Sequence, residues 1–142
     1  MSFKLKNKDI IPLLQILFPI ELKGKESRMK TRFIKKLEEY FENVFNVERL
    51  QLINEYAEKD YEGNPIQEDG HVKLVKETIP EFEEEYCKLE NECFIMLVND
   101  ETKDMLQVVF QILLEGDFMV PADIAESYYS WCEQAECLLE DF

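Results

Sequence analysis

The chain has 142 residues, with 31 acidic against 16 basic side chains, a formal net charge of −15, and 46% hydrophobic residues that include ten Phe and six Tyr. So much apolar material excludes a disordered acidic tail and predicts one compact domain over residues 1–142, since a chain of this size buries roughly 70% of the surface its unfolded form exposes. No run reaches the roughly 18 apolar residues of a spanning helix, and the early run Ile10 to Ile20 is broken by Pro12, Gln15 and Pro19, unlike a secretory signal; the expectation is a cytoplasmic protein without membrane contact.

Phe3-Lys4-Leu5-Lys6 alternates apolar and basic side chains, the pattern of a short strand with one buried face. Asp9 is placed to N-cap a helix over Ile10 to Phe18, with Pro12 at the third helical position and Pro19 as the stop. After Gly24 comes the longest helical pattern, about residues 27–57, free of Gly and Pro. Met29, Phe33, Leu37, Tyr40, Phe41 and Val44 share one arc of it and predict the core face. Lys25, Arg28, Arg32, Lys35 and Lys36 share a neighbouring arc, and with Lys30 they make a basic contact patch at one helix end. The segment LKGKESRMKTRF alone holds five basic side chains and one acid.

Residues 59–75 carry two glycines and a proline and read as a hairpin with strands near Tyr61 and near Val72 to Val75. Asp60, Glu62 and Asn64 alternate like calcium-loop ligands, but Pro65 and His71 stand where that loop needs glycine and a bidentate glutamate. His71, the only histidine, has no Ser or Cys partner in sequence and reads as a turn residue. Pro80 opens a helix with Phe82, Tyr86 and Leu89 on one side. Glu81, Glu83, Glu84, Glu85, Glu90 and Glu92 form an acidic contact face on the other. Cys93 to Val98 is a six-residue apolar run that predicts a buried strand, paired with Phe3 to Lys6 or with the hairpin. Asn99 or Asp100 then caps a helix over about 101–115, stopped by Gly116 as a C′ residue. Pro121 begins the last helix, where Ile124, Tyr128, Trp131, Ala135, Leu138 and Phe142 repeat at spacings of three and four. The fold class is α+β and predominantly helical: four to five helices, one of them long, with a small hairpin or sheet.

Cys87, Cys93, Cys132 and Cys137 are spaced unlike zinc or redox motifs, and read as reduced, buried small side chains. Charge is segregated. Residues 1–36 hold ten basic and three acidic side chains, a net of +7, whereas residues 37–142 hold six and 28, a net of −22. The basic stripe reads first as a counterweight to the acidic helices and second as a protein-contact surface.

FKLKNKDIIPLLQIL, ELKGKESRMKTRFIKKLEEYFE, LINEYAEKDYEGNPI and the late YYSWCE occur in an order similar to that of small proteins encoded by phages and prophages of Gram-positive bacteria, catalogued as a domain of unknown function, family sixteen-seventeen. The resemblance spans nearly the whole chain, strongest over residues 3–62, and departs at Phe118 to Pro121. It implies a phage origin, a gene in the late region near tail and lysis functions, and no particular activity.

No nucleophile with its base, phosphate loop or metal set is present in the sequence, and a run of glutamates on a helix is a solvated face, so a non-enzymatic protein without cofactors is expected. The leading reading is an acidic interaction protein in the cytoplasm of the infected host, which binds and modulates a host protein such as a defence or nucleic-acid enzyme, in the sharpest form by DNA mimicry. The alternative is a tail or assembly protein of the virion, whose basic and acidic faces dock between copies of a homo-oligomer. Direct nucleic-acid binding by the basic stripe is the weakest reading, because the rest of the molecule repels phosphate.

Overall fold

A computed structural model describes residues 1–142. In chain order it contains β1 (Ser2–Lys6), α1 (Ile10–Leu17), α2 (Gly24–Tyr40), a π-helical turn (Phe41–Phe45), α3 (Asn46–Tyr56), β2 (Gln67–Glu68), β3 (His71–Val72), α4 (Ile79–Asn91), β4 (Cys93–Leu97), α5 (Lys103–Glu115) and α6 (Ala125–Leu139). The chain is 64% helical, and α2, the π turn and α3 run together as one helix of 33 residues. The fold is α+β and mostly helical, as the sequence predicts.

β1 and β4 pair antiparallel with Phe3 opposite Met96 and Leu5 opposite Phe94. These four side chains point to one face of the ribbon, where α2, α5 and α6 cover them. Phe3 lies 5.3 Å from the Phe110 ring and 6.4 Å from Phe33, and it is fully buried with both. Trp131, Ala135 and Leu138 bring the predicted stripe of α6 onto the same core, while Ile124, Tyr128 and Phe142 pack at its margin. The sequence predicts that the residues of β4 are buried. Only Met96 is; Cys93, Ile95 and Leu97 face outward, because nothing but β1 lies beside this strand and no helix covers its second face.

The π turn corrects the predicted core arc. Met29, Phe33 and Leu37 are buried as expected, but Val44 is 38% exposed and Phe45 is 6% exposed. Asn46 N–H donates to Phe41 O, five residues back, so one extra residue enters the turn and rotates everything after it by about 100°. Phe45 thereby replaces Val44 on the inward side, against Phe41 at 5.4 Å.

Turn chemistry places the hairpin differently from the prediction. Asp69 and Gly70 both have positive φ, 52° and 80°, which makes a two-residue turn between β2 and β3. Tyr61 is not in a strand. It sits 97% exposed in a tight turn where the Asp60 carboxylate accepts from the N–H groups of Glu62 and Asn64. Two predicted helix ends also differ. Asp9 does not cap α1 but lies buried and accepts a 2.9 Å bond from the Ser127 hydroxyl. Gly116 is not left-handed; it is required for space, since a Cβ there would meet Phe118 at 2.4 Å and Ile112 O at 2.5 Å. Asn99 Oδ1 accepts from Glu101 N–H and Thr102 N–H at 2.9 and 3.0 Å and so closes the turn that leads into α5, but the helix starts at Lys103, with Thr102 at its N-cap position and no side-chain cap there.

Candidate functional site

The basic residues lie along the first three turns of α2, which starts at Gly24, a left-handed residue at φ 55°. Lys25 pairs with Asp104 of α5 at 3.0 Å, both side chains more than half exposed. Arg28, Arg32, Lys35 and Lys36 are exposed and no carboxylate lies within ion-pair distance of any of them. A counterweight built of direct ion pairs is thus confined to Lys25, and the other four cations are free to meet a partner.

Lys30 does not belong to this patch. Its side chain is buried, and its ammonium donates to Leu17 O at 3.0 Å and to Ile20 O. These carbonyls lie at and just beyond the C-terminal end of α1, where helical partners run out. Lys30 is one residue past Met29 on the helix, which turns it from the solvent arc towards α1.

The acidic residues surround α4. Phe82, Tyr86 and Leu89 occupy an arc of roughly 60° that packs towards α3, with Tyr56 and Phe82 rings 5.7 Å apart. Glu81, Glu83, Glu84, Glu85, Glu90 and Glu92 take the remainder, so they encircle the helix and do not form one flat face. Glu81, Glu83, Glu84 and Glu92 are exposed, whereas Glu85 and Glu90 are half-buried. Lys88 stands among them, 3.0 Å from Glu85 and 3.8 Å from Glu84, and those carboxylates raise its pKa.

Across the α3–α4 cleft, a cavity of about 270 Å³, Glu85 and Glu92 face Glu48 and Glu55. The tyrosines at its two ends register the excess of negative charge. Desolvation first, then the carboxylates of Glu81, Glu85 and Glu55, raises the Tyr56 hydroxyl. Burial first also raises Tyr40, with Glu48 and Glu92 adding to it and a hydrogen bond to Asn7 opposing it. Pattern reading placed Tyr40 on the core arc without its polar partner, and missed Asn7. Asn7 accepts from the Tyr40 hydroxyl at 2.9 Å and donates to Leu89 O at 2.8 Å, tying the long helix, the end of β1 and α4 together. A polar residue directly after an alternating strand was the only signal in the sequence.

The cysteines differ from expectation. Cys87, Cys93 and Cys137 are exposed thiols, and only Cys132 is partly buried. Burial raises the Cys132 pKa, and its Sγ lies 3.7 Å from Leu113 O, beside the Tyr128 hydroxyl that donates to the same carbonyl. His71 is exposed in β3, at the end of the Asp69-Gly70 turn. No helix is long and apolar enough to cross a membrane. Compared with protein-family models, curated proteins and solved structures, the chain matches none.

Proposed function

We propose that the protein is a non-enzymatic, phage-encoded acidic interaction protein that binds and modulates a host protein in the cytoplasm of the infected cell. The partner presents a basic surface of the kind a defence or nucleic-acid enzyme uses to hold DNA, and the carboxylates of α4 stand in for phosphates. The observation that carries this reading is the acidic girdle of α4 and its continuation across the cleft to Glu48 and Glu55, in a chain of net charge −15. Such a surface raises the association rate with a basic partner and binds it in a salt-dependent way. Arg28, Arg32, Lys35 and Lys36 of α2, which have no carboxylates of their own, give the same partner a second point of contact and fix its orientation.

Affinity capture from phage-infected lysate, at low and at moderate salt, tests the proposal. A host nucleic-acid enzyme released by moderate salt, and inhibited in its purified form by this protein but not by the variant with Glu83, Glu84 and Glu90 changed to Gln, supports it. Recovery of phage tail or assembly proteins overturns it in favour of a morphogenesis role.

A further inference from the structure

The two outer edges of the β1–β4 ribbon are finished differently. Val98 N–H donates to Met1 O at 3.0 Å and Asn7 N–H to Glu92 O at 2.8 Å, which fixes the ladder phase. Even-numbered residues of β4 aim their backbone groups at β1, so Cys93, Ile95 and Leu97 aim theirs at the opposite edge. On β1 the outward groups of Lys4 are both satisfied, its N–H by Gln134 Oε1 and its carbonyl by Gln134 Nε2, each at 2.9 Å. On β4 the Thr102 hydroxyl donates to Leu97 O at 2.6 Å, but the N–H and carbonyl of Ile95, at mid-strand, have no partner. A side-chain amide closes one edge and the other is open.

Beside the open edge lies a groove of about 530 Å³ between β4 and the long helix. Tyr40, Val44 and Phe94 give it apolar walls, and Lys36, Glu39 and Glu101 stand at its rim. The π turn contributes here, because it leaves Val44 at the groove and not in the core. Ile95 and Leu97 on the adjoining outer face are 53% and 63% exposed.

We infer that the open edge of β4 is a strand-addition site for an extended segment of a partner protein in which apolar and basic residues alternate. Backbone pairing with Ile95 supplies the register, and every second side chain enters the groove between Tyr40, Val44 and Phe94. The intervening side chains lie over Ile95 and Leu97, where a lysine stem covers apolar surface and keeps its ammonium in water. Lys4, directly opposite Ile95 on the same outer face, already occupies the equivalent place in β1, whose sequence Phe3-Lys4-Leu5-Lys6 has the same alternation. Charge favours this occupant over a second copy of the chain. The rim is net negative, and pairing two copies brings together two bodies of −15 each.

The inference rests on the protein-binding reading above and names where and what it binds. Its test is anisotropy of a labelled Lys-Val-Lys-Val-Lys-Val peptide titrated with the full-length protein, beside the same peptide with Lys replaced by Glu and one with its central Val replaced by Pro. Saturable binding below about 1 mM, at least tenfold weaker for either control peptide, is expected. Ile95→Pro removes an edge-facing N–H, which an edge strand tolerates, together with apolar surface that the ligand covers, and is expected to weaken binding at least tenfold with unchanged circular dichroism. Should that variant unfold, amide exchange on the unaltered protein decides: the peptide slows exchange at Ile95 at least tenfold and leaves Lys4 unchanged.

No binding by the lysine peptide, equal binding by the glutamate peptide, or an unprotected Ile95 overturns the inference. So does an Ile95 amide protected without peptide in a concentration-dependent dimer, which assigns the edge to a second copy. If a partner captured from lysate binds Ile95→Pro, still folded, as tightly as the unaltered protein, the edge assignment fails while the protein-binding reading stands. If no partner is captured although the peptide binds, the reverse holds.

Discussion

Lys30→Met separates the structural cation of α2 from its exposed neighbours. The Lys30 ammonium donates to Leu17 O and Ile20 O from a buried position, and Met keeps most of the side-chain volume while leaving Ile20 O without a donor and Leu17 O with only the Ile20 N–H at 3.2 Å. Hydrogen bonds to a charged group contribute roughly 1.5–3 kcal/mol each, and relief of the buried charge's desolvation returns part of this, so a net loss of about 2 kcal/mol is expected. For a chain of this size that lowers Tm by roughly 6–8 °C. Arg28 and Arg32 are exposed and have no carboxylate partner, so the double change to Glu is expected to alter stability by less than about 0.5 kcal/mol. Urea unfolding followed by circular dichroism on both variants is the assay. If Arg28→Glu with Arg32→Glu destabilises as much as Lys30→Met, the stripe balances the acidic helices through the field and is not a free contact surface.

Phe45→Ala is expected to cost about 3 kcal/mol and Val44→Ala less than about 1, an order that an unbroken α-helix with Val44 inward reverses; paired urea titrations decide it. Gln134→Leu removes both bonds to the Lys4 backbone, and hydrogen exchange at the Lys4 amide is expected to accelerate at least tenfold, whereas an unchanged rate means that the amide does not seal this edge. Tyr128 is pushed up to about 12, first by burial and then by Cys132, and an unfolded tyrosine titrates near 10. The stability held by its neutral hydroxyl is therefore complete below pH 10 and lost as pH rises from about 10 through about 12. The urea midpoints of the unaltered protein and of Tyr128→Phe should draw together over that window, and parallel profiles refute the assignment.

Which parts were legible in the sequence follows from whether a local pattern or a distant contact decides them. The stripe from Ile124 to Phe142, the strand position at Cys93 and the Asn99 turn before α5 rest on local periodicity or local chemistry and are found in the chain where the pattern puts them, although most of that strand is exposed and α5 starts at Lys103. The Val44-for-Phe45 exchange escapes because a wheel at 100° per residue has no place for an inserted residue, and FENVF carries no Gly or Pro to mark one. The hairpin was misplaced because two turn signals, Gly63-Asn64-Pro65 and Asp69-Gly70, lie within a few residues and only the second carries paired positive φ angles. Of the candidate contact residues, Lys30 failed because burial against α1 depends on where a separate helix ends. Asn7 and Gln134 were invisible for the same reason, since each earns its role from a backbone group more than 80 residues away.

Charge segregation has a structural counterpart in the long helix. Its first half contributes Met29, Phe33, Ile34 and Leu37 to the main core, while α3 has no fully buried residue and packs chiefly along α4, with Tyr56 O also accepting from Val75 N–H at 2.8 Å. The region from Asn46 to Asn91 carries 13 acidic and five basic side chains, and only Ala57 and Leu89 in it are buried. Carboxylates in that number are tolerable where nearly every one stays hydrated, because an ionised group taken out of water loses several kcal/mol of solvation unless it is paired. A thin core is thus the condition that lets this half of the molecule be so acidic. The strand that follows it, β4, has its uncovered edge beside the groove it forms with the Lys36 to Val44 stretch of the long helix. The proposed basic, extended partner segment would meet the acidic surface through charge and the open edge through backbone pairing.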